Sequence, residues 1–252
     1  MTTSTPTESF TVIRFSGPDA TTFLQGQITQ DVRQLEQQPA ALAASCDPKG
    51  RVLATLTLVA GAAADTLMVV LRGDLAETWL AHVLRYRLRA KVEATVEPNL
   101  AIVPGSPDGA EVRWSVAGCD EALVEHAPTN DTVLRRARLA AGIVDVAPFA
   151  AARYTPHMLG LNAVNAISFS KGCYTGQEVV ARTEHLGRAK RVAQTFRAEH
   201  AVAESDEQAV LRDGTRVTDI IAAADDLVVA VINPEQRDGL TLADGSSLTP
   251  LS

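Results

Sequence analysis

The sequence predicts an α+β protein that ends in a small antiparallel β-barrel, and two patterns carry that prediction. Up to Arg191, segments of helical period alternate with β-branched runs. Beyond it the chain is cut at short, regular intervals by Asp213-Gly214, Asp225-Asp226, Asn233-Pro234, Asp238-Gly239 and Asp244-Gly245, the punctuation of short barrel strands. No internal repeat or low-complexity tract competes with this reading.

The elements follow in order. MTTSTPTESF lacks the basic start and apolar stretch of a secretory signal and reads as a short frayed tail. Phe10 to Phe15 reads as a strand; Ser16-Gly-Pro-Asp19 then opens a helix, with Pro18 in its first turn, that runs through Phe23, Leu24 and Ile28. Cys46-Asp-Pro-Lys-Gly50 is a turn between an Ala-rich and a β-branched run, and strands follow at Arg51 to Val59 and Thr66 to Leu71. A helix from Asp74 to Leu84, with Leu75, Thr78, Trp79 and Val83 along one side, leads into an alternating strand ending near Glu97. The loop around Pro98 to Asp108 divides lobes, and Ala117-Gly-Cys-Asp120 after Val116 signals a hairpin. A helix from Asp131 to Ala141 stops at Gly142, a C′ residue. The expected division is 1–98, 99–189, with room to interleave with the first lobe, and 190–252.

Composition narrows the function. The 252 residues are 46% hydrophobic, yet runs such as Thr57 to Ala64 are too short and small-sided to span a bilayer, so a soluble protein is expected. Cys46, Cys119 and Cys173 lie far apart with no CxxC pair, which points away from a disulfide framework or a self-contained zinc or iron–sulfur site and toward a reducing cytoplasm. A net charge of −7 disfavours broad binding to nucleic acid. Two local basic patches remain: Arg85, Arg87, Arg89 and Lys91, and Arg182, Arg188, Lys190 and Arg191. Each reads either as a solvated face or as a cationic mouth for a polyanionic small molecule.

The most informative segment is KGCYTGQEVVAR, from Lys171 to Arg182. Thr175 and Glu178 have the spacing of a capping box, so a helix should begin near Gly176 and end near Gly187. Cys173 then sits before a helix N-terminus beside Lys171, and both dipole and cation favour its thiolate. Gly172 and Gly176 leave room for backbone or ligand to approach. The plainer alternative is a buried, inert cysteine and a purely structural Glu178. Against it stands the gathering of a lysine, a thiol, a tyrosine, an amide, a carboxylate and two glycines within eight residues, more than a helix start requires.

ISFSKGCYTGQEVVAR resembles the signature of YgfZ-type proteins, the folate-binding iron–sulfur cluster repair branch of the glycine-cleavage aminomethyltransferase superfamily. GPDATTFLQGQITQDV, CDPKGRVLATL, YRLRAKV and RLAAGIVD extend the resemblance over most of the chain. It implies an aminomethyltransferase-like fold: two α+β lobes around a central channel plus a C-terminal barrel. Tetrahydrofolate or a derivative would occupy the channel, contacted by Tyr174, Gln177, Glu178 and Arg182, with Arg85, Arg87, Arg89 and Lys91 near its glutamate tail. Cys173, with Lys171, would supply the working thiol facing that cavity, either ligating a cluster transiently or attacking a folate-derived one-carbon adduct. The resemblance brings the Cys46 turn near the channel and implies no permanently bound metal. The implied output is iron–sulfur cluster assembly or repair in clients such as tRNA methylthiotransferases, with no direct contact to nucleic acid or membrane.

Departures from the superfamily pattern sharpen this. The acidic pair that handles the reacting folate nitrogen in aminomethyltransferases is Ala54 and Thr55 here, which excludes the standard glycine-cleavage chemistry. The pterin-binding glutamate is Ala140, while Gly160 and Ser170 replace a common asparagine and lysine. Two alternatives stand beside the accessory role: a folate-dependent one-carbon transferase or demethylase with Cys173 as nucleophile, and a noncatalytic tRNA-binding module. The acidic total charge and the missing aromatic-rich basic face disfavour the latter.

Overall fold

The computed structural model describes residues 10–63, 65–125, 131–187, 189–205 and 209–251. Residues 1–9 of the expected tail, and Arg188 of the second basic patch, lie outside the described residues.

Strands β1 (Phe10–Ser16), β2 (Ala40–Cys46), β3 (Val52–Ala60), β4 (Thr66–Arg72) and β5 (Glu93–Val96) form an antiparallel sheet in the order β2-β3-β4-β1-β5. β2, AALAASC, has none of the β-branched residues that mark a strand, and its sequence shows only an Ala-rich run. All seven of its residues are buried, so small side chains are what two covered faces accept there. Helix α1 (Ala20–Gln25) is shorter than the expected helix, because Ile28 leaves it to form a β-bridge with Ser45. Helix α2 (Gly73–Leu84) buries Leu75, Ala76, Trp79 and Val83, while Thr78 points to solvent. Phe15 of β1 meets both helices, stacked on Phe23 at 6.2 Å and edge-on to Trp79 at 6.0 Å.

The strand expected from Arg85 onward is corrected: residues 85–92 form turns, and only Glu93–Val96 pair. Arg85, Tyr86, Arg87, Leu88 and Arg89 are all exposed, so their alternation has no buried face to fix an extended register. Leu88, 90% exposed, adopts φ 43, which ends any extended run.

A second sheet contains β6 (Leu100–Pro104), β7 (Val112–Val116) and β8 (Cys119–Glu125) in the order β6-β8-β7. The β7–β8 hairpin turns at Ala117 (φ 51) and Gly118 (φ 79), the two left-handed residues of a type I′ turn. Helix α3 (Asp131–Ala140) is followed by Gly142 at φ 77, in agreement with its expected C′ role. From α3, Arg138 enters the core and is 1% exposed; its Nε and Nη2 donate to Asp145 at 2.6 and 2.9 Å and its Nη1 to Glu121 at 2.6 Å. Trp114 Nε1 donates to the other Glu121 oxygen at 2.8 Å, so this buried charge group is closed by hydrogen bonds.

The C-terminal lobe is a closed barrel of β9 (Val192–Ala198), β10 (Ala209–Arg212), β11 (Thr215–Ala224), β12 (Leu227–Ile232), β13 (Leu240–Thr241) and β14 (Ser247–Pro250), in the order β10-β11-β12-β9-β14-β13. Asp213-Gly214 and Asp225-Asp226 are its turns, with Asp213 and Asp225 at φ 49 and 55. Phe196, Val210, Ile220, Val228 and Ile232 fill its interior. Glu204 fastens the barrel to the first two lobes, accepting from Arg135 Nη2 at 2.6 Å, Arg72 Nη1 at 3.1 Å and the Ala223 amide at 3.1 Å.

Candidate functional site

The loop from Ser168 to Gly176 contains no regular structure, and its neighbours hold it. Lys171 is buried, and its Nζ donates to the backbone carbonyls of Gln25 (2.6 Å), Ile28 (2.8 Å) and Gln30 (2.9 Å). Those carbonyls come from the last residue of α1 and from the non-helical segment that follows it when α1 ends early. The ammonium is thus committed to this cage and to the Tyr174 ring, 5.0 Å away, instead of standing free beside the thiol. Burial lowers Lys171 to about 8. The same clasp is closed by backbone bonds, Ser168 N to Thr29 O at 3.0 Å and Thr175 N to Gly26 O at 3.2 Å. Thr29 adds its hydroxyl, which donates to Ala166 O at 2.6 Å and accepts from Ala44 N at 2.8 Å.

The capping box is not formed. Helix α4 (Gln177–Leu186) has Gly176 as its N-cap at φ 82, with no side-chain cap bond. The reason is a contact between two backbones: a Cβ on Gly176 would lie 2.5 Å from Asp47 O and 3.0 Å from Gly50 Cα. Gly50, at φ 69, would carry its Cβ 2.8 Å from Val179 Cβ. The CDPKG turn and the start of α4 therefore approach too closely for a side chain on either glycine, and this contact fixes how the helix begins. α4 stops at Gly187 as expected, though that residue is extended (φ −145) instead of left-handed.

Within this frame Cys173 is a free, exposed thiol. Cys46 and Cys119 are buried, and desolvation first, then the neighbouring carboxylates of Asp47 and Glu121, pushes each thiol up to about 12. Tyr174 is buried and its hydroxyl is raised by desolvation. Gln177 is half-buried; Glu178 and Arg182 are exposed. Arg85, Arg87, Arg89 and Lys91 lie on the exposed turn after α2, and among the described residues Arg87, Arg89 and Lys91 have no ion pair. The geometry brings Lys171 and Tyr174 together under the loop and leaves Cys173 on its surface.

Sequence reasoning missed a cleft beside this loop. Two cavities, of about 440 and 370 Å³, share Thr183, Gly187 and Ala189 and form one groove between the 155–163 segment, α4 and β9. Arg51, Met158, Arg182 and Leu186 are among the residues that line the larger. In the smaller, His157 is 6% exposed; its Nε2 donates to Glu184 Oε2 at 2.9 Å, while its Nδ1 is buried with no partner. Cys173 lies outside both linings. Arg182, at the end of KGCYTGQEVVAR, and Arg51, directly after CDPKG, carried a sequence signal; His157 and Glu184 are 27 positions apart and nothing in the sequence joins them. Among the described residues no group of three or more His, Cys, Asp or Glu is placed to hold a metal ion, and no helix is long and apolar enough to cross a membrane.

No protein-family model matches the chain. Proteins called "tRNA-modifying protein YgfZ" do: that of Hamiltonella defensa is 31% identical over 71% of this chain, and that of Vibrio vulnificus 29% identical over 87%. The chain is similar to proteins of the YgfZ type. It spans 65% of the Hamiltonella YgfZ, just under two thirds of that relative, and 76% of the Vibrio one. Its fold is that of the aminomethyltransferases. The crystal structure of the glycine cleavage system aminomethyltransferase T from Bartonella henselae superposes with a TM-score of 0.68 at 12% identity, covering 96% of this chain and 83% of that one.

Proposed function

We propose that this chain is a folate-binding accessory protein that supports assembly or repair of iron–sulfur clusters in enzymes such as tRNA methylthiotransferases, with Cys173 as its working thiol. The carrying observation is the contrast within one loop: Lys171, Tyr174, Ser168 and Thr175 are held by buried contacts, and the thiol faces outward. A group presented so firmly, on a loop whose other members are fixed, is suited to meeting a reaction partner. The name of the relatives, tRNA-modifying proteins, supports the same context.

The accessory role is also favoured over aminomethyl transfer. Ala54 is fully buried, and Thr55, 3% exposed, donates its hydroxyl to Val144 O at 2.6 Å. Neither side chain offers a carboxylate to a folate nitrogen, and Ala140 is exposed without one. These three positions therefore do not fit a folate; the groove beside α4 is lined by two arginines and a carboxylate. Bound there, a reduced folate would supply a one-carbon carrier.

The test is complementation of a strain deficient in cluster-dependent tRNA methylthiolation. Cys173→Ala should lose complementation while keeping stability within about 1 kcal/mol of the parent, since an exposed thiol packs against little. Full complementation by the alanine variant would reject the thiol's role.

A further inference from the structure

The turn after α2 and the loop after β6 carry opposite charges. In the first, Tyr86, Arg87, Leu88 and Arg89 are all exposed, and neither arginine meets a carboxylate among the described residues. Elsewhere Arg14, Arg33, Arg136, Arg138 and Arg216 each have one within their own chain. Ala90 N donates to Arg87 O at 2.7 Å, which makes Leu88 the first central residue of a hydrogen-bonded turn, at φ 43. Turns with positive φ at that position favour Gly, Asn or Asp, because an L-side chain is strained there. Leu88 bears that strain and, at 90% exposed, gains almost no packing within its own chain. The base of the tip is fixed: Lys91 N donates to Asp19 Oδ2 at 2.7 Å, and Lys91 O lies against Gly17, which has no side chain to hold it off. A firmly based tip with an exposed leucine between two unmatched guanidiniums has the make-up of an interface anchor.

Its counterpart is a cavity of about 640 Å³ where β6, the 105–111 loop and the end of β8 meet. Val103, Pro107 and Val124 line it, together with Asp108, Glu111 and Glu125. The three carboxylates are exposed and have no hydrogen bond or ion pair among the described residues. Arg113, on the adjoining strand, donates to Pro107 O at 2.8 Å and forms no ion pair with them. Apolar walls with an acidic rim complement an apolar knob flanked by arginines.

We infer that the partner of this tip is a second copy of the chain: Leu88 of each copy enters the acidic cavity of the other, with Arg87 and Arg89 against Asp108, Glu111 and Glu125. A second copy is favoured over an unrelated acidic protein because knob and hole are both present in one chain. β5, which follows the tip, pairs with β1, and β6 packs on β1, so tip and cavity belong to neighbouring elements and a two-fold axis makes the contact twice.

Sedimentation velocity of the full chain over about 1–200 μM tests it, and should show a monomer–dimer equilibrium. Arg87→Glu with Arg89→Glu, or Asp108→Arg with Glu111→Arg, should each weaken the dimer by about 10-fold or more. An equimolar mixture of the two double variants should recover it, since each reversed tip then meets a reversed cavity and each native tip a native one. Leu88→Gly should also weaken the dimer while keeping or raising the melting temperature, an outcome that a leucine needed only for folding would not give. All of these side chains are exposed, so the charge variants should melt as the parent does. A parent that stays monomeric throughout, a dimer that both reversals leave intact, or a mixture that fails to recover the dimer overturns the inference.

Discussion

Gly176→Ala is the perturbation whose cost the structure defines most sharply. The residue sits at φ 82, where an L-side chain costs about 1–2 kcal/mol. Its new Cβ would lie 2.5 Å from Asp47 O and 3.0 Å from Gly50 Cα, both backbone atoms, so relief requires moving the CDPKG turn or the start of α4; overpacking of that kind costs about 1–3 kcal/mol. The expected loss is about 3 kcal/mol, which for a chain of this size lowers the melting temperature by about 6–12 °C. Urea unfolding followed by the fluorescence of Trp79 and Trp114, both buried, measures it. Gly172→Ala is the internal control. That glycine has no positive φ and nothing within 4 Å of its Cβ position, so alanine should leave stability unchanged or raise it by about 0.4–1 kcal/mol. A Gly176→Ala variant within about 0.5 kcal/mol of the parent, or equal losses at both glycines, refutes the claim that backbone contact at Gly176 sets the loop.

Three further outcomes follow from other buried groups. Lys171→Met strips the carbonyls of Gln25, Ile28 and Gln30 of their shared donor, and the urea midpoint should reflect a loss of about 3 kcal/mol or more. Arg138→Met leaves the Glu121 and Asp145 carboxylates buried and uncompensated; about 3–5 kcal/mol should go, seen as a sharp fall in soluble yield and cooperative unfolding. The thiols of Cys46 and Cys119 have folded values near 12 against an ordinary 9.0, so each contributes stability that is whole below pH 9 and is lost as pH climbs toward 12. Denaturant midpoints taken from pH 7.5 to 10.5 should therefore decline at the alkaline end, and Cys46→Ala should flatten that decline.

How much could be read from residues alone depended on whether the cue was local. The barrel was legible because each Asp-Gly or Asn-Pro pair imposes its own turn, and the β7–β8 hairpin because Ala117-Gly118 accepts two left-handed residues in succession. β2 was invisible, since an alanine run becomes a strand only when sheets and loops cover both its faces. The alternation from Arg85 to Val92 misled for the complementary reason: period two means a strand only where one face is buried, and here almost nothing is. In KGCYTGQE the exposed thiol was legible as a candidate, but the fate of Lys171 was not. Its partners are backbone carbonyls more than 140 positions earlier, and a carbonyl leaves no mark in a sequence. Thr175 has the right spacing to Glu178 for a cap; the close approach of Gly50, a nonlocal event, decided otherwise.

The touching glycines also act as a caliper. Arg51 follows Gly50 directly, and Arg182 lies about one and a half turns along the helix that starts after Gly176, so the gap between the backbones that carry the two guanidiniums is set where these backbones meet. A bulkier residue at either glycine would open the jaws without altering any residue that grips. Lineages that drift at one of these positions should lose hold of whatever the jaws clasp before they lose the fold, and chimaeras that exchange one motif without its counterpart should do the same.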